Sequence, residues 1–221
     1  MPYNNPDVWA FTLALILVGS IFAYILYIEK KRRQELKKQA RRIGFSFSPN
    51  YQGNIPGNKE FRIFNIGHSK KAYNLLKGTY GKTYWEIFDY NYTVGAGRNS
   101  STYTQTIIYT QVKDFNFPHF TLDPEGFFHK IAQALGFKDI NFEANPEFSK
   151  KYLLKGENEE KIRELFAPHI LRFFEKMKKP IHIEAKGNNF LLWSRPRIKP
   201  QELRNFLDQT NNILNLFTNK T

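Results

Sequence analysis

The chain of 221 residues contains no cysteine. This absence excludes disulfide bonds, zinc–thiolate sites, iron–sulfur clusters and cysteine nucleophiles. It does not distinguish a reducing from an oxidising compartment, because a protein without cysteine is compatible with both. The chain also lacks a G-x-S-x-G sequence, and with it the nucleophile elbow of the serine hydrolases that use that turn.

Acidic residues are few relative to basic ones. The chain has 20 Asp and Glu against 33 Lys and Arg, which gives a formal net charge of +13. Residues 1–42 hold eight basic and three acidic residues, a contribution of +5, and the remaining 179 residues hold 25 against 17, a contribution of +8. This excess favours an anionic partner, either nucleic acid or acidic lipid.

Charge is absent altogether from the 21 residues between Val8 and Ile28. As a helix this stretch would be roughly 31 Å long, enough to cross a bilayer core of about 30 Å. Trp9 lies near one end and Tyr24 and Tyr27 near the other, as expected for rings at the headgroups. A signal peptide would have basic residues before the apolar run, but here they follow it. The stretch therefore predicts one transmembrane helix.

Basic residues cluster directly after the apolar run. They are Lys30, Lys31, Arg32, Arg33, Lys37, Lys38, Arg41 and Arg42. Positive charge this close to a span is retained on the cytoplasmic side, so the N-terminus is expected outside and the remainder inside. The expected location is therefore an internal membrane whose inner side faces the cytoplasm. The same eight side chains are predicted to bind anionic headgroups, at about 1 kcal/mol for each well-placed residue.

The basic stretch is predicted to continue the helix. Leu36, Ala40 and Ile43 recur at helical spacing, and Gly44–Phe45 is typical of a glycine cap followed by its hydrophobic contact. The predicted division is an extracytoplasmic N-terminus at 1–7, a transmembrane helix at 8–28, a basic juxtamembrane helix at 29–43 and a cytoplasmic domain at 44–221.

The first part of the domain is predicted to be rich in strands. Residues 46–60 carry many Ser, Asn, Pro and Gly, which indicates a loop. Segments rich in Tyr, Phe, Thr, Ile and Val follow at 61–66, 71–80, 82–94 and 101–113. The last two are expected to form a long antiparallel hairpin across the sequence GAGRNS.

The second part mixes helices with strands. Asp123 is a good N-cap and Pro124 suits the first helical position, which predicts a helix ending at residues 136–137. Its buried stripe would be Phe128, Ile131, Ala132 and Leu135. Residues 148–156 predict a strand, and residues 157–179 a helix that Pro168 splits or kinks.

The C-terminal part adds a second hairpin at 181–194 and a last helix. The predicted apolar face of that helix is Leu203, Phe206, Leu207, Thr210, Ile213, Leu214 and Phe217. Together these elements predict an α+β fold: one N-terminal transmembrane helix, then a domain of antiparallel β-hairpins packed with three or four helices. Similar sequences at 69–78 and 149–156 leave open a weak internal repeat of 40–113 and 133–195, with chance similarity as the alternative.

Five short motifs carry a family resemblance. They are FDYNY at 88–92, QT at 105–106, PHFTLDPE at 118–125, DINF at 139–142 and FSKKYLLKG at 148–156. In this order behind one N-terminal span, the chain resembles an uncharacterised bacterial family of small membrane-anchored proteins of unknown function. The resemblance covers roughly residues 40 to 200. It implies bacterial origin and this architecture, so the expected location is the bacterial inner membrane or another internal membrane. It carries no catalytic residues.

Two motifs partly resemble known cofactor or metal sites. GAGRNS at 95–100 partly fits a dinucleotide fingerprint, but the helix that must hold the pyrophosphate is replaced by a β-branched, aromatic run. His119, Glu125 and His129 are the candidate metal ligands, with Glu125 and His129 four residues apart on one helix face. A metal site needs at least a third ligand, and Asp123 is explained as the cap. The sequence therefore predicts neither a cofactor nor a metal.

Tyrosines are concentrated on the predicted hairpin at Tyr84, Tyr90, Tyr92, Tyr103 and Tyr109. Aromatic rings on a sheet can stack bases, but they also stabilise hairpins by themselves, and no RNA-binding signature is present. We interpret these residues as a partner surface, with nucleic acid the partner favoured least.

The function predicted from these features is a non-catalytic interaction or assembly module. It is expected to act at the cytoplasmic membrane surface as an accessory to a membrane-protein complex. The alternatives are a membrane-tethered hydrolase or metal-dependent enzyme of unrecognised type, and a nucleic-acid-binding domain.

Overall fold

The computed structural model of the protein describes residues 6–51, 55, 60–126 and 137–219. Its first element is a single helix of 37 residues, α1 (Pro6–Arg42). The stretch predicted to cross a membrane is exposed along its whole length, and the basic stretch continues the same helix without a break. Within the described ranges, α1 is the one helix that is long and apolar enough to span a membrane.

The C-terminal end of α1 has the glycine cap predicted from the sequence. Gly44 has a φ of 77°, the left-handed conformation that glycine adopts most easily. The Phe45 N–H donates to the Ala40 carbonyl at 2.8 Å and the Gly44 N–H to the Arg41 carbonyl at 3.3 Å, a Schellman pattern. The Phe45 ring then packs on Gly78, where a Cβ would lie 2.4 Å from the ring. The cap therefore turns the chain back toward the sheet.

The domain is built on one sheet of eight strands in the order β1-β2-β3-β4-β8-β7-β5-β6. The strands are β1 (Ser46–Asn50), β2 (His68–Tyr80), β3 (Thr83–Val94), β4 (Ser101–Gln111), β5 (Phe117–Pro124), β6 (Tyr152–Gly156), β7 (His182–Gly187) and β8 (Asn189–Ser194). Neighbouring strands pair antiparallel. Both predicted hairpins, β3–β4 and β7–β8, are confirmed.

Four further helices are described. They are α2 (Pro146–Lys151), α3 (Glu159–Leu165), α4 (Pro168–Lys176) and α5 (Leu203–Thr218). Pro168 separates α3 from α4, as expected for a residue that cannot donate a hydrogen bond inside a helix. The α5 helix buries the seven residues predicted for its apolar face. The α+β fold predicted from the sequence is confirmed.

Three secondary-structure predictions are wrong in part. Residues 46–50 form β1 rather than the start of a loop. The 61–66 segment contains a 3-10 helix, Arg62–Phe64, instead of a strand. In the 148–156 segment the first four residues complete α2, which begins with Pro146 at its N-terminus, and only β6 is a strand. The similar sequences at 69–78 and 149–156 thus differ in structure, and the internal repeat stays a prediction.

The helix predicted to begin at Asp123 is also corrected. Asp123 is not an N-cap: it lies within β5, pairs with Leu153 of β6 and is fully buried. The sequence that suggested a cap was outweighed by long-range partners, Arg62 and His182, which hold the carboxylate inside the protein. The proposed buried stripe at 128–135 lies outside the described residues.

One face of the sheet is covered by helices and is called the helix-covered face. Residues of β2, β3, β5, β7 and β8 pack there against the C-terminal part of α1 and against α2 to α5. The central members of this core are Leu36 and Ala40 from α1, Leu76 and Ile87 from the sheet, and Phe217 from α5. The last turns of α1 are therefore part of the core of the domain.

The opposite face is covered by residues 60–67 and is called the loop-covered face. Phe61, Ile63 and Phe64 pack there on a second apolar cluster from the sheet. The sheet residues of that cluster are Leu75, Phe88, Tyr90, Tyr92, Ile107, Tyr109, Leu191 and Trp193. The side chains of β5 and β7 on this same face are polar, and they form a separate cluster described below.

Candidate functional site

A buried ion pair joins α1 to the sheet. The Arg32 guanidinium donates from Nε and Nη2 to the two carboxylate oxygens of Asp89, at 2.8 and 2.7 Å. The Arg32 side chain is 10% exposed and that of Asp89 1% exposed. Two parallel hydrogen bonds to a carboxylate fix both distance and orientation, so this pair sets how α1 crosses the strand.

Neutral groups provide the remaining hydrogen bonds of this ion pair. The Asn74 side-chain amide donates to Asp89 at 2.9 Å, and the Thr106 hydroxyl donates to it at 3.1 Å. Arg32 Nη1 also donates to the Ile198 carbonyl at 2.8 Å. A buried charge is tolerated when it is paired and its remaining hydrogen bonds are satisfied, and both conditions hold here.

A second ion pair lies one turn closer to the apolar part of α1. Arg197, from the segment between β8 and α5, donates to Glu29 at 2.6 and 3.1 Å. Its guanidinium also donates to the Tyr73 hydroxyl at 3.3 Å and lies 3.8 Å from Asp89. Helix α1 is thus held by contacts at positions 29, 32, 36 and 40, which lie on one face and span about three turns.

These contacts change the expected set of headgroup-binding residues. Arg32 is predicted from the sequence to bind lipid headgroups, but its guanidinium binds the buried carboxylate of Asp89. Arg32 is therefore not a headgroup-binding residue. The physical reason is helical periodicity, because Arg32 precedes the buried Leu36 by four residues and shares its face. The other seven basic residues of the stretch remain exposed: Lys30, Lys31, Arg33, Lys37, Lys38, Arg41 and Arg42.

A second buried ion pair lies on the loop-covered face. Arg62 Nη2 donates to Asp123 Oδ2 at 2.7 Å, with both side chains 3% exposed or less. His182 Nδ1 lies 2.7 Å from the other oxygen, Asp123 Oδ1. A carboxylate only accepts, so Nδ1 carries the proton of the ring. Burial lowers the pKa of His182, and the hydrogen bond to Asp123 partly opposes this effect.

Glu184 and His119 extend this polar cluster. The backbone N–H of Arg62 donates to Glu184 Oε1 at 2.8 Å, and His119 Nε2 lies 3.6 Å from the same oxygen. His119 Nδ1 is 2.7 Å from Glu157 at the surface. The Glu184 carboxylate raises the pKa of His119 against the opposing effect of burial, and Glu157 contributes further. The hydrogen bond with His119 in turn lowers the pKa of Glu157.

Of the three predicted metal candidates, the structure describes His119 and Glu125, and it does not place these two in contact. The His119 ring contacts Glu157 and Glu184, whereas Glu125 is exposed beyond the end of β5 and His129 lies outside the described residues. Among the described residues, no group of three or more His, Asp or Glu side chains is arranged to hold a metal ion. Each carboxylate oxygen of Asp123 accepts a hydrogen bond, one from Arg62 and the other from His182. This arrangement is typical of a buried carboxylate with a structural role.

The predicted aromatic partner surface is corrected for three of its five residues. Tyr90, Tyr92 and Tyr109 are buried under residues 60–67, because their strands direct them to the loop-covered face. Tyr103 is half-buried, with the Arg195 guanidinium 4.1 Å from the centre of its ring.

Tyr84 is the exposed member of the five, at 52%. It lines a cleft of about 400 Å³ together with Glu86, Gln111 and Lys113. This cleft is the part of the predicted partner surface that remains accessible.

Several residues of these two clusters were not identified from the sequence. Asp89 lies in β3 among mostly apolar and aromatic residues, with Glu86 as the other carboxylate of that strand, and Glu184 is the single carboxylate of β7. A carboxylate inside a strand gives a usable signal of a buried ion pair. The partner of each carboxylate could not be read from the sequence, because Arg32 lies 57 residues from Asp89 and Arg62 lies 122 residues from Glu184.

Neither a protein-family model nor a curated protein matches the chain. Among solved structures, the crystal structure of the mycobacterial trehalose monomycolate transport factor A, TtfA, is similar with a TM-score of 0.59. The match covers 84% of this chain and 95% of that chain, at 13% sequence identity. At this identity the likeness shows a shared α+β fold. The resemblance to an uncharacterised bacterial family stays a prediction.

Proposed function

We propose that this chain is a membrane-anchored accessory module. In this proposal α1 spans the membrane, and the α+β domain is held at the cytoplasmic surface, where it contacts a membrane-protein complex without catalysing a reaction. The observation that carries the proposal is the course of α1. Its apolar part is exposed throughout, whereas its basic part is built into the core of the domain.

A continuous helix holds the domain in one orientation relative to the membrane, and a flexible tether does not. A flexible linker would let the domain sample all orientations near the membrane. Here Arg32 and Glu29 are both bound by ion pairs, and Leu36 and Ala40 are buried, so span and domain move as one body. Fixed orientation is useful to a module that must align a particular surface with a partner in the same membrane.

Two further observations support the proposal. The exposed basic residues after the span favour retention of the domain in the cytoplasm. The fold is shared with TtfA, which is described as a transport factor, and this supports an accessory role.

The orientation is tested with reporters fused to the C-terminus of the full-length chain. A reporter that is active only in the cytoplasm should be active, and one that requires the periplasm should be inactive. The reversed pattern would contradict the cytoplasmic placement of the domain.

The rigid presentation is tested by alanine insertions between Ile28 and Glu29. Two alanines rotate the domain about the helix axis by about 200° and lift it by about 3 Å, whereas four rotate it by about 40° beyond a full turn and lift it by about 6 Å. A photo-crosslinking residue replaces Tyr84 in every variant. In its native membrane, the chain without an insertion should then yield one adduct with a membrane protein. Two alanines should abolish this adduct and four should largely preserve it.

The opposite ranking has a different meaning. If four alanines were more harmful than two, height above the membrane rather than orientation would matter. If no insertion changed the adduct, or no membrane protein were crosslinked, the proposed role would be wrong.

A further inference from the structure

We propose that the end of the sheet formed by the β3–β4 hairpin and the start of β2 lies on the anionic headgroups of the membrane that α1 spans. This inference rests on the proposed membrane anchoring. The binding residues are Lys70 and Lys71 of β2 and Arg98 of the hairpin tip, together with Lys30, Lys31 and Arg33 of α1. All six side chains are exposed.

The direction of α1 relative to the strands is fixed by three contacts. Phe45 packs on Gly78, Arg32 binds Asp89, and Glu29 binds Arg197, which contacts Tyr73. In the register of the sheet Gly78 pairs with Trp85, whereas Tyr73 pairs with Asp89. Moving along α1 toward its apolar part therefore means moving along β3 from Trp85 to Asp89, and onward to the hairpin tip.

The hairpin extends past the point where the apolar part of α1 ends. From Arg32 to Ile28 the helix rises by about 6 Å. From Asp89 to Val94 the strand rises by about 17 Å, and a tilt of about 45° between helix and strand would still leave about 12 Å along the helix. The headgroup layer is only about 5–8 Å thick on each side of the bilayer. The hairpin tip thus reaches at least the headgroups.

The residues at this end of the sheet have the chemistry of a headgroup contact. Residues 65–72 and 90–103 contain Lys70, Lys71 and Arg98 and no Asp or Glu. The side chains beyond Asp89 on the helix-covered face are uncharged and polar, in the pairs Asn91–Thr104 and Thr93–Thr102. The imidazole of His68 hydrogen-bonds the Gly95 carbonyl at 2.8 Å, which ties the start of β2 to the hairpin tip.

The same geometry separates the basic residues of α1 into two groups. Lys30, Lys31 and Arg33 lie within about 8 Å of Ile28 along the helix, inside the headgroup layer. Lys37 lies about 14 Å and Arg42 about 21 Å from Ile28 along the helix, beyond a headgroup layer that is about 5–8 Å thick. The distal group, which also includes Lys38 and Arg41, is therefore assigned no headgroup contact.

Depth measurements on the full-length chain test this surface. Because the chain has no cysteine, each introduced cysteine is the single thiol available for a fluorophore. Tyr24→Cys reports the span, Ser100→Cys the hairpin tip, and Lys82→Cys the opposite end of β3. In lipid nanodiscs with nitroxide-labelled headgroups and phosphatidylglycerol, we expect strong quenching at positions 24 and 100 and none at position 82.

Charge-neutralising variants identify the headgroup contacts. On the Ser100→Cys background, Lys70→Gln, Lys71→Gln and Arg98→Gln together should reduce quenching at least twofold in phosphatidylglycerol discs. The matched control is Lys37→Gln, Lys38→Gln and Arg41→Gln, which removes the same charge from the distal part of α1 and should change nothing.

Three results would overturn the inference in different ways. Quenching at position 24 but not at position 100 would leave the anchor intact and place the hairpin away from the membrane. Equal quenching with and without phosphatidylglycerol, or no effect of the triple variant, would exclude recognition of anionic headgroups. Absence of quenching at position 24 would show that α1 is not inserted, and the proposed function would fail with it.

Discussion

Two buried Arg–Asp ion pairs lie on opposite faces of the sheet. Arg32 binds Asp89 on the helix-covered face, and Arg62 binds Asp123 on the loop-covered face, each with a shortest distance of 2.7 Å. In both pairs the aspartate belongs to a strand and the arginine to a segment outside the sheet. Each pair therefore fastens a covering segment to the sheet, α1 in one case and the 3-10 helix in the other.

The two pairs differ in their surroundings. Asp89 is completed by the neutral side chains of Asn74 and Thr106. The Arg62–Asp123 pair belongs to a cluster that also contains His182, Glu184 and His119. The pKa of His182 is lowered and that of His119 is raised. The first pair is suited to a constant mechanical link between α1 and the sheet. Because two titratable histidines lie beside the second pair, we expect the stability of its surroundings to depend on pH.

The largest expected effect is the loss of either aspartate. Asp123→Ala and Asp89→Ala should each lower the free energy of unfolding by about 3–5 kcal/mol, because each leaves a buried arginine without its carboxylate. Denaturant unfolding of the full-length chain in detergent, followed by tryptophan fluorescence, measures the change. Trp193 is a suitable reporter for the loop-covered face, since its ring stacks on His182 at 4.9 Å.

Glu147→Ala is the matched control for both aspartates. Glu147 pairs with Lys150 at 2.8 Å, but its side chain is 72% exposed. Its loss should change the unfolding free energy by less than about 0.5 kcal/mol. If an aspartate variant cost no more than this control, the corresponding pair would not fasten its segment.

A smaller effect is expected from the arginine of the junction. Arg32→Ala should cost about 2–3 kcal/mol, less than loss of Asp89, because Asn74 still donates to the carboxylate and Arg197 lies 3.8 Å away. Hydrogen exchange of the amides at 29–45 should accelerate together with the loss. Arg33→Ala, at the adjacent exposed position, should change neither quantity. Equal effects of the two variants would contradict the role given to Arg32.

The smallest effect is the pH dependence of the loop-covered cluster. The raised pKa of His119 gives a stabilisation that is present below the unfolded value of about 6.5 and is lost as pH rises through the folded value. The lowered pKa of His182 gives the opposite dependence: its stabilisation is present above about 6.5 and is lost as pH falls. Each group changes stability by at most about 1.4 kcal/mol per pH unit.

Two variants separate these contributions. His119→Gln should flatten the decline in unfolding free energy on the alkaline side of pH 6.5, and His182→Gln the decline on the acidic side. Measurement of unfolding between pH 5 and pH 8 for both variants gives the comparison. Asp89→Asn should leave the shape of the wild-type profile unchanged in this range, and a change of shape there would remove the contrast between the two pairs.

Most elements of the fold could be predicted because their signals are local. The charge-free run in α1, the glycine cap at Gly44 and the apolar face of α5 each depend on residues within a few turns of one another. The hairpin of β3 and β4 follows from β-branched and aromatic residues on both sides of a glycine-rich tip. The sequence Asp123–Pro124 failed as a guide, because the residues that are typical of a helix N-terminus here form the buried end of β5.

The candidate site was the least predictable part. Helical spacing from Leu36 could have placed Arg32 on the buried face, but nothing local identifies Asp89 as its partner. Tyr90, Tyr92 and Tyr109 were expected on the surface because an alternating strand pattern does not reveal whether its second face is covered.

The sequence by itself determined that the protein has one apolar helix followed by basic residues and an α+β domain of hairpins and helices. Only the tertiary structure decided which charges are internal, which aromatic rings are buried and which end of the sheet faces the apolar part of α1. The physical reason is the range of the interactions. Hydrophobic periodicity, capping and turn formation act between neighbours in the chain, whereas ion pairs such as Arg32–Asp89 join residues 57 positions apart and form only when the whole domain has folded.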